Sequence, residues 1–195
     1  MKVVIDTSSL LSLVRYYLPF DKQEILFKIV KAKIANGEVV VVDKIIDECA
    51  YTSKGVVLET LYFLTDKLFN KTHKLPLNTE FMLPPAPAKF YRMVDNNFVV
   101  AVQRLRLNEI QYDSLKNDFM NSADMKMILT SLNLKKDNPM EEVYLVTEET
   151  EVSNDNKVFK KIPAICSQLN IQTINIQQLI DRFEEINVEI RQNYT

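Results

Sequence analysis

The sequence predicts a three-layer α/β/α fold built on a mostly parallel central sheet of four or five strands. Three observations carry that expectation. Short apolar runs at 2–5, 39–42, 143–147 and 171–174 are rich in β-branched residues and have the length of strands. Stretches with helical spacing separate them, which is the order of a βαβ unit. The 39–42 run, Val-Val-Val-Val, is continuously apolar, as in strands covered on both faces.

Taken in order, the 2–5 run ends at Asp6, and Thr7, Ser8 and Ser9 are good N-caps for a helix over 10–17. Pro19 stops that helix, and Asp21 caps a second one running to about Asn36 through Ile25, Ile29, Val30 and Ile34. Asn36-Gly37 is a turn. After the second strand, Asp43 opens a helix through Ile45, Ile46, Cys49 and Ala50. Residues 56–70 read as one further helix, and the prolines at 76, 84, 85 and 87 mark a loop. Helical spacing resumes over 88–106, 109–120 and 122–134. The third strand, a polar loop over 150–157, a short helix over 163–169, the fourth strand and an amphipathic helix over 177–191 complete the chain. The 195 residues are expected to form a single domain, with a helical elaboration and Pro-rich loop at about 56–106.

Scarcity excludes most catalytic classes. Gly occurs only at 37 and 55, so neither a GxGxxG nor a GxxxxGK[ST] phosphate loop exists. His73 is the one histidine, which rules out two-His metal sites. Cys49 and Cys166 form no CxxC pair, as expected of buried thiols in a reducing compartment. No apolar run approaches the roughly 20 residues of a membrane span, and Asp6 interrupts any leader-like stretch. A cytoplasmic protein without membrane contact is expected. The abundant chemical group is carboxylate, with 26 Asp and Glu and a net charge of −2.

Several of those acids stand where chemistry is usually done. Asp6 follows the first strand, and open parallel sheets bind ligands beyond the carboxyl ends of their strands. Asp47 and Glu48 follow the second strand, each about 130° from the centre of their helix's apolar stripe, so periodicity does not choose between them. Asp124 sits in the first turn of a helix with the stripe Met125, Ile128, Leu129 and Leu132, about 90° from its centre. Glu148 and Glu149 follow the third strand. Acids converging on one sheet edge repel one another unless a cation is present, and Mg²⁺ or Mn²⁺ takes oxygen ligands of this kind.

The segments VVIDTSSLL (3–11), RYYLPFD (15–21), VVVVDKIIDEC (39–49), SADMKMI (122–128), LVTEE (145–149) and KVFKKIPAICSQLNIQTINIQQLI (157–180) together resemble the PIN domain. More specifically, they resemble an uncharacterised subfamily of toxin-like PIN proteins, which are metal-dependent ribonucleases. The resemblance implies that Asp6, Glu48, Asp124 and Glu149 hold Mg²⁺ or Mn²⁺ and carry catalysis, with Glu148 the alternative for the fourth place. It implies endonucleolytic hydrolysis of RNA by a metal-activated water, with Thr7 and Thr147 positioning that water. Partners implied are RNA, an antitoxin protein and a second copy of the chain.

On the substrate side, Arg15, Arg92, Arg106, Lys160 and Lys161 are candidate phosphate contacts. Arg92 and Arg106, 14 residues apart, share a face if 88–106 is one helix. Tyr16, Tyr17 and Phe20 beside Arg15 are candidates for base stacking. The alternative function is a catalytically inactive scaffold binding RNA or a protein.

Overall fold

The computed structural model describes residues 1–150 and 157–186. Four strands, β1 (Lys2–Ile5), β2 (Val39–Val40), β3 (Val143–Val146) and β4 (Gln172–Ile174), form one sheet in the order β2-β1-β3-β4. Every pairing is parallel, with Ile5 opposite Val146 and Val146 opposite Ile174. The two central strands are buried along nearly their whole length, as both faces carry helices. The architecture is the expected three-layer α/β/α one. Its second strand is shorter than the apolar run, because Val42 leaves β1 and bridges Leu77 instead.

The helices follow in chain order. Helix α1 (Thr7–Ser12) continues as a π-helical segment over Leu13–Tyr17 and a 3₁₀ turn at Leu18–Phe20. Thr7, Ser8 and Ser9 lie inside α1 rather than capping it; Asp6 occupies the cap position. Asp21 does cap α2 (Ile25–Ala35), its two carboxylate oxygens accepting from the Ile25 and Phe27 amides. Gly37, at φ +72°, makes the turn into β2. Helix α3 (Asp43–Tyr51) starts at Asp43 as expected.

Residues 56–70 are not one helix. Leu61 leaves helical geometry after α4 (Val56–Thr60), and Asp66 caps a new helix, α5 (Lys67–His73), by accepting from the Phe69 amide. Burial of Leu61, Phe63 and Leu64 in the core outweighs the local periodicity. Residues 88–106 break as well. Helix α6 (Pro87–Met93) runs into a π-helical segment at Val94–Phe98, and Val99 is extended and bridges Phe159 before α7 (Ala101–Arg104). The Val100 amide donates to Val158 and the Lys160 amide to Phe98, so β-type pairing has replaced helix there.

Helix α8 (Glu109–Asn121) opens with a capping box between Asn108 and Gln111, and α9 (Ala123–Asp137) is capped by Ser122. Helix α9 packs on β1 and β3 and is the most buried helix. Helix α10 (Ile162–Gln168) packs on β4, and α11 (Ile176–Ile180) meets α1. The expected helix over 177–191 is therefore short; residues 187–191, like 151–156 of the expected polar loop, lie outside the described residues. No helix among the described residues is long and apolar enough to cross a membrane.

Candidate functional site

Parallel pairing of β1 with β3 sets the site's geometry. The Asp6 amide donates to Val146 at 2.9 Å, so the chain leaves β1 directly beside Thr147. Although Asp6 stands at the N-cap of α1, its carboxylate does not serve as the cap. It accepts instead from the Ser8 hydroxyl at 2.5 Å and the Thr147 hydroxyl at 3.1 Å, both at Oδ2. Asp6 is 6% exposed. Burial lifts its pKa above the usual carboxylate value, and the charge of Glu48 adds to the rise against these hydroxyls and the Thr7 amide.

Glu48 is the acid on α3 that faces this edge. Thr7 Oγ1 donates to its Oε2 at 2.6 Å, whereas Asp47 points to solvent with Lys44 3.8 Å away. Packing of α1 against α3 thus makes the choice that helical spacing left open. Asp124, in the first turn of α9, is pushed up to about 7, first by burial and then by the charges of Asp6, Glu149 and Glu48; Lys157 acts in the opposite direction.

The two acids after β3 diverge. Glu149 lies within electrostatic reach of Asp124, and its Oε2 accepts from the Ile162 amide at the start of α10. Glu148 accepts from the Ser9 hydroxyl and, at 2.8 Å, from the Ile176 amide at the start of α11, so it fastens α1 and α11 to the strand end. Thr147 links the set: its hydroxyl donates to Asp6 and accepts from the Glu149 amide. Thr7 and Thr147 therefore spend their hydroxyl protons on carboxylates. Ser8, which sequence reading treated only as a cap, also accepts from the Glu148 amide and is part of this network. Its two-residue spacing from Asp6 is the signal that local side-chain bonding was available.

Asp124 is thus coupled by charge to Asp6, Glu48 and Glu149, and Asp6 also to Glu48, at the carboxyl edge of β1 and β3. Among the described residues, no three His, Cys, Asp or Glu close into one coordination shell. The donor set is all oxygen and partly desolvated, which suits a hard divalent cation, and Mg²⁺ usually takes one or two carboxylates and keeps its waters. The residues therefore fit such an ion in kind. Cys49 and Cys166 flank the acids as buried thiols, each pushed up to about 12 by burial, and are unreactive neighbours. Two grooves of about 320 and 300 Å³ lie elsewhere on the surface, and none of the four acids lines either.

The cations are scattered. Arg15 is exposed and donates to Ser53. Arg92 is exposed and bonds the Ala88 carbonyl within α6, while Arg106 follows α7 and meets Gln103. Because the chain is extended at Val99, Arg92 and Arg106 do not share a helix face, and that expectation is corrected. Lys160 and Lys161 are half-buried just before α10.

Residues 82–186 match a family described as a domain of unknown function, DUF4411. The chain belongs to the DUF4411 family. The DUF4411 match contains Asp124, Thr147, Glu148 and Glu149 and begins after Asp6 and Glu48. No curated protein matches the sequence.

Proposed function

We propose that this chain is a Mg²⁺- or Mn²⁺-dependent endoribonuclease in which Asp6, Glu48, Asp124 and Glu149 hold the cation. One observation supports this above the others. The carboxyl of Asp124 is driven to about 7 by burial and by the three other acids of the same set, an arrangement whose charge a bound cation offsets. A divalent ion bound there supplies Lewis-acid activation of water and neutralises charge developing on the phosphate. The protein's part is orientation. Ser8 and Thr147 hold Oδ2 of Asp6, Thr7 holds Oε2 of Glu48, and the Ile162 amide holds Glu149. In this reading RNA is the substrate, the protein works in the cytoplasm, and an antitoxin protein or a second copy is the partner the sequence resemblance suggests.

The spacing of the acids favours one rival reading, a scaffold that binds RNA or a protein without catalysis, since no three of them share a coordination shell. Cleavage of end-labelled RNA in Mn²⁺ and calorimetric titration with Mn²⁺ separate the two. Asp6→Asn should lose divalent-dependent cleavage and weaken Mn²⁺ binding at least tenfold while staying folded. Undiminished cleavage by that variant would overturn the assignment, and a wild-type protein that neither cleaves nor binds Mn²⁺ would establish the scaffold.

A further inference from the structure

Beside the acid edge, two elements that carry no carboxylate of the site are fastened together. Helix α3 ends just after Glu48, and the chain then passes through three consecutive left-handed residues, Ser53 (φ 52°), Lys54 (φ 61°) and Gly55 (φ 79°). Only the last is glycine, so the run is held by its surroundings rather than by local preference. One holding contact is visible: Arg15, in the π-helical segment after α1, donates from Nη2 to Ser53 Oγ at 2.7 Å. The same segment also packs on α4, which follows the left-handed run.

The surface this makes has a distinctive composition. Arg15 and Lys54 are both exposed, and among the described residues neither meets a carboxylate. Two large aromatics stand exposed nearby in the chain, Tyr16 next to Arg15 at 64% and Tyr51 at the end of α3 at 82%. The Thr7–Glu48 hydrogen bond joins α1 to α3, and the Arg15–Ser53 bond joins the segments that follow each of them, eight residues on from Thr7 and five on from Glu48. The cations thus follow closely in the chain on two of the residues at the acid edge, Thr7 and Glu48. Uncompensated cations next to unpartnered tyrosines are the ingredients that bind single-stranded nucleic acid, cations on phosphates and rings on bases.

We propose that Arg15 and Lys54, with Tyr16 and Tyr51, form a binding surface for single-stranded RNA leading to the acid edge. The proposal rests on the ribonuclease reading for its ligand: the cations complement a phosphate backbone, and the exposed rings, which stack on bases, select RNA over an acidic protein. The Arg15–Ser53 bond holds the two segments together, and Lys54 is the next residue of the left-handed turn after Ser53.

The test is fluorescence anisotropy of a labelled 12-nucleotide single-stranded RNA in EDTA, where no cleavage occurs, over a range of salt. Arg15→Gln/Lys54→Gln should weaken binding at least tenfold, and the slope of log K against log salt should flatten by about 1.4, since each single-strand phosphate contact contributes about 0.7. Tyr16→Leu/Tyr51→Leu should weaken binding to a similar degree and leave that slope unchanged. Wild-type affinity in both double variants, with urea unfolding showing each folded, would overturn the surface, as would no RNA binding by the wild type. Failure of the catalytic reading looks different. In that case the wild type binds RNA through these residues yet does not cleave it in Mn²⁺.

Discussion

Replacing Asp124 by Asn should remove most of the pH dependence that this site imposes on folding. The carboxyl is raised from 3.8 to about 7 in the folded chain, so the folded state binds its proton more tightly than the unfolded state does. Stability from this group is therefore complete below about pH 3.8 and is lost as pH rises through about 7. Over the whole range the difference corresponds to about 4 kcal/mol, of which more than half falls between pH 5 and pH 8. Urea unfolding of both proteins in EDTA at those two pH values measures it. The wild type should lose about 2–3 kcal/mol more than Asp124→Asn on going from pH 5 to pH 8. At pH 8 the variant should be the more stable of the two, because an unfavourable buried charge is gone. Mn²⁺ at about 100 times its dissociation constant should then return about 2.7 kcal/mol to the wild type and far less to the variant. Parallel pH profiles for the two proteins would refute the argument that the acids repel one another across the sheet edge.

Thr147→Val removes a hydroxyl that serves both Asp6 and the Glu149 amide at a position only 4% exposed, and keeps the shape. It should cost about 1–3 kcal/mol in urea unfolding, and Asp6 should become harder still to ionise. The two acids after β3 should separate by readout. Glu148→Ala loses the acceptor at the start of α11, which should lower stability by about 1 kcal/mol and leave Mn²⁺ affinity alone. Glu149→Gln should weaken Mn²⁺ binding in calorimetry at least tenfold with little effect on unfolding. An exchange of those two outcomes would reassign the fourth acid to Glu148.

Much of this arrangement is written locally. Strands β1 and β3 are short β-branched runs that end where a polar residue follows, and their acids stand at the sheet edge because all four strands run the same way. Asp21 and Ser122 act where capping chemistry puts them, and Asp43 opens α3 as its first residue. The errors cluster where distant pairing overrode local spacing. Val99 was drawn out of a helix by Phe159, sixty residues on, and Leu61 was turned aside so that Phe63 and Leu64 could enter the core.

The sequence by itself determined the chemistry available: oxygen ligands in plenty, one imidazole, two isolated thiols and no phosphate loop. It also determined the α/β fold class, since βαβ alternation with apolar runs has few other solutions. Only the tertiary structure decided which acids face one another. Asp47 and Glu48 are equivalent on an isolated helix, and they part because α3 lies against α1, where Thr7 bonds one of them. Glu148 and Glu149 part because successive residues after a strand point opposite ways, one towards α11 and the other towards α10. Periodicity describes the angle of a side chain about its own axis, and a site depends on where two axes are placed relative to each other.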